Sequence, residues 1–157
     1  MSKRINIQLI QPRHIYAPLS SKNRIGHVYM PTSLLTAAAR ILIAGGEVSI
    51  CDENLNQCHI LSNTVGINLV GSPYVPVAIG FRDRLRKQFG KEFNLLLGGQ
   101  VVSGFSIKQL NALFGNNVLD GNHDEILTTT LGIKSTDLPA SLNTSLIPSY
   151  ELLSNEQ

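Results

Sequence analysis

Charge is scarce in this sequence. Asp, Glu, Lys and Arg make up 15% of its 157 residues, while 43% are apolar. A chain with that balance can bury a core and is not a disordered segment. At this length it forms one domain rather than two. The formal net charge of +2 is too small for a nucleic-acid binder. The one basic cluster, Arg82, Arg84, Arg86 and Lys87, falls within a helical pattern and reads as a solvated helix face. Long apolar runs are also absent, which excludes a membrane-spanning helix. The opening "MSKRINIQLIQP" begins like a signal peptide, but Asn6 and Gln8 interrupt its apolar run and Pro12 stops it. It reads as a first strand, and the cytoplasm is the default location. There are only two cysteines, Cys51 and Cys58, with six residues between them. That spacing matches no usual zinc site or redox pair, and two thiols cannot hold an iron–sulfur cluster alone. Cys51 reads as a small buried residue and Cys58 as a loop thiol.

What is present is a series of strand and helix patterns. Apolar runs at Ile5–Ile10, Glu47–Cys51, Val65–Val70, Phe93–Leu97 and Asn117–Leu119 read as strands. Helical spacing marks Ser33–Ala44, Pro76–Phe89 and Ser106–Phe114, the last with Ser106 as N-cap and Gly115 as its stop, and a fourth helix is expected at Asp124–Leu131. Gly80 sits inside the second pattern, where a glycine costs about 1 kcal/mol against alanine. Alternation of strand and helix implies a parallel sheet. The expected fold is α/β: a five-stranded doubly wound sheet, flavodoxin-like or Rossmann-like, of order 2-1-3-4-5, over residues 1–133. The third and fourth strands are nearly continuous apolar runs, as expected of strands covered on both faces. Residues 134–157, with two prolines and no helical period, read as a linker or docking tail.

Ligands of such sheets bind outside the carboxyl ends of the strands. The first strand is followed by a long loop, residues 11–32, of a length associated with function. The third, fourth and fifth are followed by "GSPYVP", "GGQVVSG" and "DGNHDE". Several ligand classes lack their signatures. No G-x-G-x-x-G follows the first strand, no P-loop is present, and no acidic residue ends the third strand. No serine stands in a G-x-S-x-G elbow, and no nucleophile–base set, metal set or carboxylate pair supports a standalone enzyme. His27, His59 and His123 are lone histidines and read as exposed. Asp52 either hydrogen-bonds a ligand or merely terminates its strand.

"VGINLVGSPYVP" and "LLLGGQVVSG" resemble the third and fourth strand ends of cobalamin-binding domains, which carry S-x-L and then G-G. Asn68 stands for the serine, Val70 for the leucine, and Gly98 and Gly99 for the glycine pair. The resemblance is closest to the cobalamin domains in front of radical S-adenosylmethionine (SAM) enzymes. "YMPTSLLTAAARILIAGGEVSICDEN" is similar to their first helix and second strand, and "VLDGNHDEIL" to their fifth-strand loop. "SLIPSYELL" looks like the segment leading into the radical enzyme barrel. In that family the nucleotide tail of the cofactor threads into the sheet where the glycines leave room. The resemblance thus implies cobalamin as cofactor, held by Asn68, Val70, Gly71, Ser72, Pro73, Tyr74, Gly98, Gly99, Gln100, Gly121, Asn122 and Asp124. It implies a role in methyl transfer and a radical SAM enzyme as partner. That partner is supplied in trans or by sequence beyond these residues, because the C-x-x-x-C-x-x-C cluster motif is not among them. No nucleic acid or membrane partner is implied. Three departures stand against the family pattern. The cobalt-ligating D-x-H-x-x-G is broken: His14 holds the histidine register, but Pro12 and Ala17 replace Asp and Gly, so His14 reads as a rim residue and no metal ligand is assigned. Asn68 replaces serine. The cluster motif is missing. The competing expectation is a binding or regulatory module that keeps the fold without the corrinoid.

Overall fold

A computed structural model describes residues 6–13, 32–43, 45–55, 57–99, 101–115 and 118–119. The elements run β1 (Asn6–Gln11), α1 (Thr32–Ile43), β2 (Glu47–Asp52), β3 (Thr64–Asn68), α2 (Val75–Phe89), β4 (Asn94–Gly98), α3 (Ile107–Phe114) and β5 (Val118–Leu119). Single 3-10 turns, not expected from the sequence, lie at Ser72–Tyr74 and Val102–Gly104. The expected fourth helix, Asp124–Leu131, and the tail at 134–157 lie outside the described residues.

The fold is α/β with a parallel sheet of order β2-β1-β3-β4, and the two residues of β5 pair with Leu95 and Leu96 on the far side of β4. This arrangement is compatible with a Rossmann or flavodoxin-like fold. Period-two alternation divides the strand side chains between two cores. Ile10, Val65, Ile67, Leu95 and Leu97 point to the face where α2 and α3 lie, with Phe81, Leu85, Leu110 and Phe114 fully buried among them. Ile7, Leu9 and Ile50 point to the opposite face, against Leu34, Leu35, Ala38 and Ile41 of α1. α3 begins with a capping box: Ser106 accepts from the Gln109 N–H while the Gln109 side chain accepts from the Ser106 N–H. Arg82 of α2 donates to the Leu113 carbonyl near the end of α3 and also pairs with Asp83 at 2.6 Å. That joins the two helices and accounts for one member of the basic cluster.

One expectation from the sequence is corrected, and another is not settled by the described residues. Along β4, Leu95 and Leu97 are buried, whereas Asn94, Leu96 and Gly98 are half-buried. Among the described residues α1 packs over β1 and β2 and no second helix stands beside it over β4, and the helix expected at Asp124–Leu131 lies outside them. The cysteines are not a lone core residue and a loop thiol. Cys51 and Cys58 form a disulfide with Cα atoms 5.8 Å apart, and Cys58 is 2% exposed.

That bond belongs to the most unusual connection in the fold. Between β2 and β3 there is no helix among the described residues; residues 57–63 run as an extended strap on the α2 face of the sheet. Cys58 and Ser62 point inward, while Gln57, His59, Leu61 and Asn63 are exposed. Gln8 of β1, 2% exposed, clasps the strap with its amide, donating to the His59 carbonyl at 2.7 Å and accepting from the Leu61 N–H at 2.9 Å. Ser62 donates to the Asn6 carbonyl at 2.6 Å, and Gln88 of α2 donates to the Ile60 carbonyl at 3.3 Å. The polar interruption at Gln8, which argues against a signal peptide, thus has a structural use. No helix among the described residues is long and apolar enough to cross a membrane.

Candidate functional site at the carboxyl ends of the strands

Parallel pairing aligns side chains into rows across the sheet, and the rows on the α1 face change character toward its carboxyl end. Ile50, Leu9, Gly66 and Leu96 are successive partners in one row. A Cβ on Gly66 would lie 2.6 Å from Leu9 Cδ2, so the leucine occupies the space that the glycine leaves. Two residues further on, Asp52 pairs with Gln11 and Asn68 with Gly98. Asn68 joins these two pairs by donating to Gln11 Oε1 at 3.5 Å. The last row is therefore Asp52, Gln11, Asn68, Gly98: one carboxylate, two amides and a bare backbone, on top of an apolar row.

Each member is held locally. Asp52 accepts from the Asn54 N–H at 2.8 Å and from its side-chain amide at 2.7 Å, an Asx-turn that starts the chain away from β2. Gln11 is buried beside Pro12. At the other end, the Leu69 N–H donates to the Gly98 carbonyl at 2.7 Å and the Val102 N–H to the Gly99 carbonyl at 3.2 Å. Gly99 takes φ +101°, and a Cβ there would lie 2.2 Å from Leu69 O and 2.9 Å from Asn68 Oδ1. Both the backbone angle and the lack of space require glycine. The two glycines thus have different surroundings: this chain's own Asn68 and Leu69 fill the space beside Gly99, while Gly98 is a half-buried strand residue in the polar row.

Of the remaining expected site residues, Val70 is 56% exposed just beyond β3, Ser72 is exposed and Pro73 half-buried. Tyr74 is not available at the crest: it is 4% exposed and its ring packs in the α2-face core. Gly71 has extended backbone, φ −159°, which any residue adopts, and its carbonyl accepts from the Tyr74 N–H at 3.0 Å. Gln100, Gly121, Asn122, Asp124 and His14 lie outside the described residues. The structure therefore brings together Asn68, Gly98, Gly99 and Val70. It adds Gln11, which the sequence pattern places at the start of a loop, and it puts Asp52 in the same row. The signal for Gln11 was the alternation itself, since Ile7, Leu9 and Gln11 share one face of β1.

This arrangement can recognise a polar, largely neutral surface by hydrogen bonds and can admit backbone approach at Gly98. It holds no nucleophile with a base, and no group of three or more His, Cys, Asp or Glu suited to a metal occurs among the described residues. No protein-family model matches the chain, and no curated protein matches it significantly.

Proposed function

We propose that this chain is a cobalamin-binding domain that holds a corrinoid at the carboxyl ends of β1, β3 and β4 and presents it to a radical SAM enzyme. The observation that carries the reading is the terminal row, where Gln11 and Asn68 amides stand next to the side-chain-free Gly98. Open parallel sheets bind ligands at this end. When bound, the corrinoid supplies the methyl-transfer chemistry, and the protein supplies orientation and access. Gln11 and Asn68 would hydrogen-bond amide or hydroxyl groups of the cofactor, Gly98 would let it approach the β4 backbone, and exposed Val70 would offer an apolar contact. The finer fold assignment, a five-stranded cobalamin-type sheet, belongs to this proposal. So does a cytoplasmic location, where a closed disulfide is usually a redox-responsive feature.

A second reading, a module of the same fold without a corrinoid, is favoured by one observation: Asn68 and Leu69 fill the space beside Gly99. Gel filtration after mixing with hydroxocobalamin or methylcobalamin, with visible spectra of the protein fraction, separates the two. Retention with a changed spectrum supports the carrier, and Gly98→Phe should then abolish retention, with circular dichroism and the denaturation midpoint checking that the half-buried strand position tolerates the change. Failure to retain either form, alone or with a radical SAM partner, favours the module. Gly99 is the wrong residue for this test, because Gly99→Val forces a Cβ into Leu69 O and should prevent folding.

A further inference from the structure

On the opposite face of the sheet, the strap and α2 border an open cleft of about 430 Å³, lined by Gln57–Ile60 from the strap and by Arg84, Lys87 and Gln88 from α2. That volume is within the usual range for small-molecule sites, about 300–1,000 Å³. Its lining carries two cations, two amides and an imidazole, and no carboxylate. Arg84 and Lys87 are three residues apart on α2, which places them on adjacent positions of one helix face. The Arg84 guanidinium is positioned: its Cζ lies 3.9 Å from the centre of the Phe81 ring. Its one carboxylate neighbour among the described residues is Glu53, at 4.0 Å, a long contact to a guanidinium that is itself half exposed. Lys87 has no ion-pair partner among the described residues. The wall opposite these cations is fixed by the Gln8 clasp and, at Cys58, by the disulfide.

We propose that this cleft binds a small polyanion, a phosphorylated or polycarboxylate ligand whose oxyanions bridge Arg84 and Lys87, and that the Cys51–Cys58 bond keeps the cleft in its binding form. The basic residues of α2 then have separate roles, with Arg82 tying α2 to α3 while Arg84 and Lys87 face the ligand. The opposite wall consists of a segment without secondary structure of its own, so its position depends on the covalent tether more than a helix would. The proposal is independent of the corrinoid reading, which concerns the other face.

Isothermal titration calorimetry of the full chain at low ionic strength, with inorganic pyrophosphate and with citrate as probes, tests it. Binding is expected for at least one probe, with pyrophosphate alone indicating a phosphorylated ligand and citrate alone a carboxylate ligand. Lys87→Gln and Arg84→Gln should each weaken binding about tenfold, as loss of a charge-assisted hydrogen bond does. Lys108→Gln, which removes a cation from the exposed side of α3, should leave it unchanged. Absence of heat with both probes, or equal weakening by Lys108→Gln, overturns the site. Reduction with dithiothreitol, an uncharged thiol that does not compete for the cleft, should also weaken binding about tenfold, with circular dichroism confirming retained helix. Unchanged affinity after thiol titration shows the bond open would overturn the part assigned to the disulfide.

Discussion

The two faces of the sheet differ in how completely the described residues cover them. On the α2 face, two helices and the strap cover every strand from β2 to β4, and the side chains beneath are almost wholly buried. On the α1 face, one helix covers β1 and β2, and the surface passes through half-buried Leu96 to a polar row at the carboxyl end. The contrast separates two roles. The first face holds the domain together, and the second ends in a polar row whose Asn68 and Gly98 are half-buried and whose Gln11 and Asp52 are buried.

If that division is right, mutations of similar type should differ in cost between the faces. Phe81→Ala, at a site with no exposed area, should cost about 4 kcal/mol in chemical denaturation. Leu96→Ala on the other face is the comparison, and a cost as large as that of Phe81→Ala would show that the α1 face carries equal weight. Opening the Cys51–Cys58 bond should come next, at about 2.5 kcal/mol for a loop this short. It is read as a shift in the denaturation midpoint with and without reductant. Leu96→Ala itself should cost about 1.5 kcal/mol, because the side chain packs against the α1 core but is only partly buried. Gly80→Ala should have the smallest effect and the opposite sign. The position is exposed, with nothing within 4 Å of an added Cβ, so the variant should gain about 1 kcal/mol of stability from helix propensity. A loss there would mean that a partner or ligand packs on that side of α2.

Local pattern is what the sequence expresses most directly, and among the described residues the strands and the first three helices stand where it puts them. The strands are visible because apolar runs end at glycine and polar residues, and their observed bounds differ by one or two residues from those expected. Ser106 announces its helix because a capping box is a local device. Pairing between distant segments is not legible. Cys51 and Cys58 face each other only because the chain reverses after β2 and returns on the α2 face, and no spacing rule encodes that reversal. The polar row is hidden for a related reason. Asp52, Gln11, Asn68 and Gly98 are far apart in sequence, and only the register of three strand pairs sets them side by side. Tyr74 follows a motif-like segment that points to a ligand, but the 3-10 turn at Ser72–Tyr74 directs it into the core.

The Gln8 clasp has a consequence for how this protein can change over time. Its amide grips a backbone carbonyl and a backbone N–H, and neither depends on which side chains the strap carries. Positions 57, 59 and 61 point outward and are free to drift, with one prohibition: proline at 61 would remove the N–H that Gln8 accepts. Inward positions 58 and 62 have no such freedom. The strap is thus a surface whose lettering can be rewritten while its path stays fixed, and two of its free positions border the cationic cleft. Related chains could exchange the preferred anion by substitutions there without rebuilding the sheet.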